Sequence, residues 1–179
     1  MKAGIEMNGS ILNKLWSLSA FRREARSPIL APEAATSLSA WKNRLVPEVR
    51  VFAVDLDEGL NDYVRQEALV RGLDNVQVIT AKPEDPLLPE AGIDLIFSSN
   101  TYHHIQNRAQ YFSRARRHLR PGGSVAIVDF DNLHWILQLL GHWVARDQIL
   151  LGMTEAGDHL KREFDFLPRQ NFLIFETSD

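Results

Sequence analysis

The sequence predicts an α/β fold, a mostly parallel sheet covered by helices on both faces. Two observations carry that prediction. From residue 50 onward, short β-rich apolar runs alternate with stretches of helical periodicity. The runs "VRVFAVDL" and "SVAIVDF" are apolar almost throughout, as strands buried on both faces are.

The elements follow in order. In the N-terminal segment 1–27, Ile11, Leu12, Leu15, Trp16, Leu18 and Phe21 recur near one helical face, which reads as a docking helix; its arginine and serine content also resembles an organelle transit peptide. Within 28–49, Pro28 to Leu30 form a candidate short strand, and a helix starts at Pro32 with proline in its first turn. After the strand ending at Asp55, "DEGLNDYVRQEALVRGL" places Leu60, Tyr63, Val64, Ala68 and Leu69 at helical spacing and stops at Gly72. "NVQVIT" and "GIDLIFSSN" are the next strands, and "QNRAQYFSRARRHLRPGG" is a helix ended by Pro121-Gly122-Gly123. "SVAIVDF" is a strand, helical stretches follow over 133–145 and 146–157, and "REFDFL" and "NFLIFE" close the chain as strands.

Composition narrows the function. A length of 179 residues with 45% hydrophobic and 24% charged residues suits one globular domain. The net charge of −3 gives no general attraction to nucleic acid or to an anionic membrane, and no apolar run is long enough to span a bilayer. The absence of cysteine removes disulfides, thiolate catalysis and cysteine-ligated metals, and suits the cytoplasm. Without cysteine or an evident third ligand, the adjacent His103 and His104 do not read as a zinc site.

Four stretches, "VFAVDLDEGL", "DNVQVITAKPEDPLLP", "DLIFSSNTYHHI" and "HLRPGGSVAIVDF", resemble in order and spacing the second to fifth strands of the class I S-adenosylmethionine-dependent methyltransferases, in particular those acting on small molecules. The ending "FDFLPRQNFLIFE" is similar to their antiparallel final pair. The resemblance implies a Rossmann-like methyltransferase fold over 28–179, S-adenosylmethionine as cofactor and a small-molecule acceptor. It implies that Asp55 accepts hydrogen bonds from the ribose hydroxyls and that Leu56 packs on the adenine. A carboxylate of the family near Lys82 is missing here, which leaves Glu84 or Asp85 as substitutes. Asn100 would position cofactor or substrate, Tyr102 would stack on or hydrogen-bond to the acceptor, and His103 or His104 would be the base, because imidazole titrates near neutrality. Adjacent histidines on an extended segment point to opposite sides, so at most one of the two is expected to face the substrate. Asp129 is expected to border the pocket.

The family's first motif, a G-x-G-x-G turn after strand one, has no counterpart before Arg50. The first βα unit, 28–49, is therefore degenerate, and Pro28 to Leu30 is the expected central strand. Read one nucleotide earlier with permitted third bases, the codons for Ile29 through Ser37 spell "DLGAGSGYF", which makes a compensated frameshift the hypothesis for this segment. Two rivals to catalysis of methyl transfer stand beside it: a noncatalytic methyltransferase-like binding partner and a nicotinamide-dependent oxidoreductase.

Overall fold

A computed structural model describes residues 18–23, 49–89, 92–131, 143–167 and 169–177 of the chain. These residues form one seven-stranded sheet: β1 (Leu18–Arg23), β2 (Val49–Asp55), β3 (Val76–Thr80), β4 (Ile93–Ser99), β5 (Leu119–Phe130), β6 (Asp158–Phe164) and β7 (Gln170–Thr177), in the spatial order β3-β2-β1-β4-β5-β7-β6. The helices are α1 (Glu58–Val70), α2 (Arg108–Ala115) and α3 (Arg146–Ala156), with single 3-10 turns at Tyr102–His104 and Arg116–His118. No helix of the described residues is long and apolar enough to cross a membrane.

Val51–Val54 of β2 and Val125–Val128 of β5 are unbroken apolar runs because both faces are covered there. On one face α1 sets Val64 against Ala53, with Tyr63, Val76 and Val78 packed beside them, and also buries Ala68. On the other, α2 buries Tyr111, Phe112 and Ala115, and α3 buries Ile149, Met153 and Ala156, against Phe52, Val54, Ile96, Ile127, Leu173 and Phe175. Spacings of three and four residues put each helical set on one side of its helix. Gly157 ends α3 at φ 94°, a left-handed position that glycine takes without a Cβ penalty. A β-carbon there would also run into the Arg116 guanidinium.

Several boundaries differ from the sequence reading. "LRPGG" belongs to β5, which pairs with β4 from Ile93↔Leu119 onward, so the helix ends earlier than its composition implies. Of the helix expected over 133–145, residues 133–142 lie outside the described residues, and β6 begins at Asp158, one residue after α3.

The largest correction concerns the centre of the sheet. Leu18–Arg23, expected at the end of a helix, is a strand, and it fills the place between β2 and β4. It pairs antiparallel with both, in registers Leu18↔Val54 and Ala20↔Ile96. Edge-to-edge hydrogen bonding explains the override: β2 and β4 each present a row of backbone donors and acceptors, and a strand in either direction satisfies them. Pro28 to Leu30, the expected occupant, lies outside the described residues. The pairs β2–β3 and β4–β5 are parallel, and β7 runs antiparallel to β5 and β6, as the final pair was expected to do.

Candidate active site

The carboxyl ends of β2, β3, β4 and β5 lie along one edge of the sheet, where α/β folds open their crevice. At the end of β2, Asp55 Oδ1 accepts from the backbone N–H of Asp57 (2.9 Å). Asp57, not Asp55, caps α1, its Oδ1 accepting from Leu60 N–H at 3.0 Å. Asp55 Oδ2 accepts no hydrogen bond among the described residues, so the carboxylate keeps acceptor capacity beyond the one bond it makes. Leu56 follows with 56% of its surface exposed.

The backbone around Asp55 is fixed from below. Buried Asn61 donates to the Asp55 carbonyl and to Thr80 Oγ1, both at 3.1 Å, and Thr80 donates to Glu58. That bond, with the Arg65 guanidinium, holds the Glu58 carboxyl below its ordinary range. Ala81 N–H reaches the Asp55 carbonyl (2.8 Å), which ties the loop after β3 to the same edge.

In that loop Lys82 and Asp85 exchange backbone hydrogen bonds at 2.8 and 3.1 Å. The Asp85 carboxylate accepts from Leu87 N–H (2.9 Å), and Leu87 sits at φ 52°. Glu84 is exposed and contributes its carbonyl to Arg114 at 2.9 Å. The structure thus uses Asp85 to close its own turn, and the Glu84 side chain stands at the surface. Tyr111 of α2 is buried on this side, and burial pushes its hydroxyl pKa up, with Asp85 and Asp55 adding to the effect.

The end of β4 is a network of cross-strand bonds. Asn100 sits at φ 51°, uncommon for a residue with a β-carbon, and is held there by N–H donation to Val128 O (2.8 Å) and by Gln170 Nε2 donating to its Oδ1 (2.8 Å). Asp129, fully buried at the end of β5, takes the His103 ring Nδ1 at 2.6 Å, the His103 backbone N–H at 3.1 Å and Phe130 N–H at 2.7 Å. A carboxylate oxygen that accepts from the ring at this position pairs with the Nδ1–H tautomer of His103. The His103 side chain is 3% exposed. His104 is exposed, its ring centroid 4.0 Å from that of His103. The expectation that the two histidines diverge fails because Tyr102–His104 is a 3-10 turn and not extended chain.

Tyr102 is placed in the core, not at the crevice. It is fully buried beside Phe112 (ring centroids 5.4 Å), with the Arg108 guanidinium 5.1 Å from its ring centre, and its hydroxyl lies against Gly152 of α3 without a hydrogen-bond partner among the described residues. Burial pushes this phenol up to about 12. It neither reaches an acceptor nor gives up its proton near neutral pH. Arg108 instead ties the turn together, donating to the carbonyls of Tyr102 (3.0 Å) and His103 (3.1 Å).

Sequence reading underused two residues. The parallel register Ser99↔Val128 brings the position after each strand together, so the pairing of the His103 turn with Asp129 was findable by aligning the ends of "IFSSN" and "AIVDF". Gln170 was missed because its arrival beside Asn100 depends on the antiparallel register Phe130↔Gln170, which local pattern does not encode.

A family model described as a methyltransferase domain matches residues 34–127, more than half of the chain. Among solved structures, the chain is similar to a SAM dependent methyltransferase from Aquifex aeolicus, at 20% identity and a TM-score of 0.62 over 69% of this chain and 66% of that one. A TehB-like SAM-dependent methyltransferase from Corynebacterium glutamicum matches at 16% identity and 0.56, over 71% and 67%. The O-methyltransferase NcsB1 from neocarzinostatin biosynthesis, solved with S-adenosyl-L-homocysteine and 1,4-dihydroxy-2-naphthoic acid, matches at 16% and 0.57, over 71% of this chain and 41% of that one. The chain therefore spans about two thirds of the first two and under half of the third. At these identities the structures speak for the fold. Together with the family match over more than half its length, they show that the chain belongs to the class I S-adenosylmethionine-dependent methyltransferase family.

Proposed function

We propose that the chain catalyses methyl transfer from S-adenosylmethionine to a small-molecule acceptor in the cytoplasm. One observation carries the reading: Asp55 with Leu56, and the Asn100–His104 turn with Asp129, stand along the same carboxyl edge of the sheet. The nucleoside half of the cofactor fits the residues present, since Asp55 has lone pairs for vicinal hydroxyls and Leu56 offers an uncovered apolar surface. The other half finds less. Where the family places its glycine turn, β1 brings its amino end, Leu18 opposite Val54.

When bound, S-adenosylmethionine supplies a methyl group already activated by its sulfonium. The chain's own work is then alignment and exclusion of water. His104, the exposed histidine of the turn, takes a proton from a hydroxyl-bearing acceptor, while His103 and Asp129 hold the turn in place. His104→Ala should lower turnover at constant cofactor affinity, with the loss shrinking at higher pH.

A second reading, a noncatalytic methyltransferase-like partner, draws on the reversed central strand and on Lys82, exposed where the family has a carboxylate. Calorimetric titration with S-adenosylmethionine and S-adenosylhomocysteine separates the two: saturable binding supports the enzyme, and no binding at millimolar ligand leaves the partner.

A further inference from the structure

We propose that Asn100, Gln170 and the aromatic cluster of Phe164, Phe166 and Phe172 form the acceptor subsite, and that its ligand is a planar aromatic compound with a lactam edge. The inference rests on the methyltransferase reading and specifies its substrate class.

The 2.8 Å bond between the two amides uses the Asn100 carbonyl and one Gln170 N–H. It leaves the Asn100 NH2 as a donor and the Gln170 carbonyl as an acceptor. Neither side chain makes another hydrogen bond among the described residues, and neither group is sealed from solvent. The strained φ of Asn100 holds this donor at the carboxyl end of β4. A ligand that complements the pair presents a carbonyl to Asn100 and an N–H to Gln170. A lactam carries those two groups side by side in one plane.

The neighbouring surface supplies the rest of the chemistry. Gln170 and Phe172 are two residues apart on β7 and so share a face. Phe164 is the cross-strand partner of Phe172, with ring centroids 4.7 Å apart, and Phe166 stands 5.7 and 5.9 Å from the two, 57% exposed. The Arg162 guanidinium lies 5.9 Å from the Phe164 ring centre and props the cluster from the strand side. An aromatic wall next to a donor–acceptor pair selects a flat ring system that is polar along one edge. Exposed His104 ends the 3-10 turn Tyr102–His104, whose N-cap Thr101 follows Asn100 directly.

The test uses the full chain labelled with 15N and two probes of similar size, quinolin-2(1H)-one, which has the lactam edge, and 2-methylquinoline, which lacks it. The lactam should bind saturably and move the side-chain NH2 signals of Asn100 and Gln170, with at least about tenfold tighter binding than 2-methylquinoline, the scale of one or two neutral hydrogen bonds. Gln170→Leu should remove most of that preference. Phe166→Ala, at an exposed position, should weaken both probes by roughly threefold or more and decides the matter if Gln170→Leu does not fold by circular dichroism. Equal affinity for the two probes, or no saturable shift of those NH2 signals, overturns the subsite. S-adenosylhomocysteine titrated into the same samples separates the claims: its binding without the lactam sinks the subsite alone, and lactam binding without it keeps the subsite and sinks the methyltransferase reading.

Discussion

The two halves of the sheet's carboxyl edge are built differently. On the side of β4, β5 and β7, most polar groups bond one another: the Asn100 N–H and Oδ1 to Val128 and Gln170, His103 to Asp129, Thr101 Oγ1 to the Ser99 carbonyl (3.0 Å), leaving the Asn100 NH2 and the Gln170 carbonyl over. On the side of β2, the Asp55 carboxylate makes one local bond among the described residues and Leu56 is open, and the adjoining central strand runs against its neighbours. The difference separates what packing requires from what a ligand requires. A buried sheet needs a strand between β2 and β4 and is indifferent to its direction, whereas the amide contacts of a glycine turn reach that edge from a strand parallel to β2, so their loss weakens the cofactor's hold without removing the nucleoside contacts of Asp55 and Leu56.

The largest expected effect tests how rigid the β4–β5 side is. Asp129→Ala strips the partner from a buried ring nitrogen and two backbone N–H groups and should cost about 3–5 kcal/mol in denaturant unfolding. Asp55→Ala, on the open side, should stay within about 1 kcal/mol of the parent. Comparable losses at both sites would erase the contrast.

A second prediction uses the far end of the rigid side, where Asp158 begins β6 with both carboxyl oxygens buried and lacking hydrogen bonds among the described residues. Arg116 Nη1 lies 3.9 Å away and His159 is the other cationic group acting on it, yet burial outweighs both and pushes the carboxyl up to about 6. The folded state therefore holds this proton more tightly than the unfolded chain, whose carboxyl titrates near 3.8. The stability this confers is present below pH 4 and is lost as pH rises through about 6. Asp158→Asn should match the parent near pH 4 and exceed it at pH 7.5 by roughly 2–3 kcal/mol in the unfolding free energy. An identical pH profile in the two proteins would place the carboxylate in a wetter setting.

How much was legible follows the same division. β2 and the second half of β5 declared themselves because a strand covered on both faces is apolar at successive positions, as Val51 to Val54 and Val125 to Val128 are. The role of Asp57 as helix cap was legible from its place before the helix. Tyr102 was misread because its neighbours in sequence are polar, while its burial comes from α2 and α3, which reach it only through the tertiary fold. Leu18–Arg23 was misread because helical periodicity of six apolar residues said nothing about the open slot between two distant strands.

The missing turn gives a third prediction, smaller in free energy and specific to the open side. Replacing Ile29 through Ser37 with "DLGAGSGYF" should create or strengthen S-adenosylmethionine binding by at least about tenfold, or 1.4 kcal/mol, without redesign downstream. A folded variant that still ignores the cofactor would move the blame to Lys82 or to the strand that holds the centre. The nucleotide sequence bears on the origin of the segment independently, since codons unable to spell the turn in the shifted frame end the frameshift hypothesis.

The central claim, that Asp55 and Leu56 keep the nucleoside half of a methyltransferase site, is tested most directly by the affinity of S-adenosylhomocysteine for the natural chain and for Asp55→Ala. The account predicts saturable binding to the natural chain and a loss of roughly 1.5–3 kcal/mol in the variant, the scale of hydrogen bonds to a charged group, with the fold retained by circular dichroism. Unchanged affinity together with a lowered melting temperature would contradict it and leave Asp55 as a structural residue of the turn into α1.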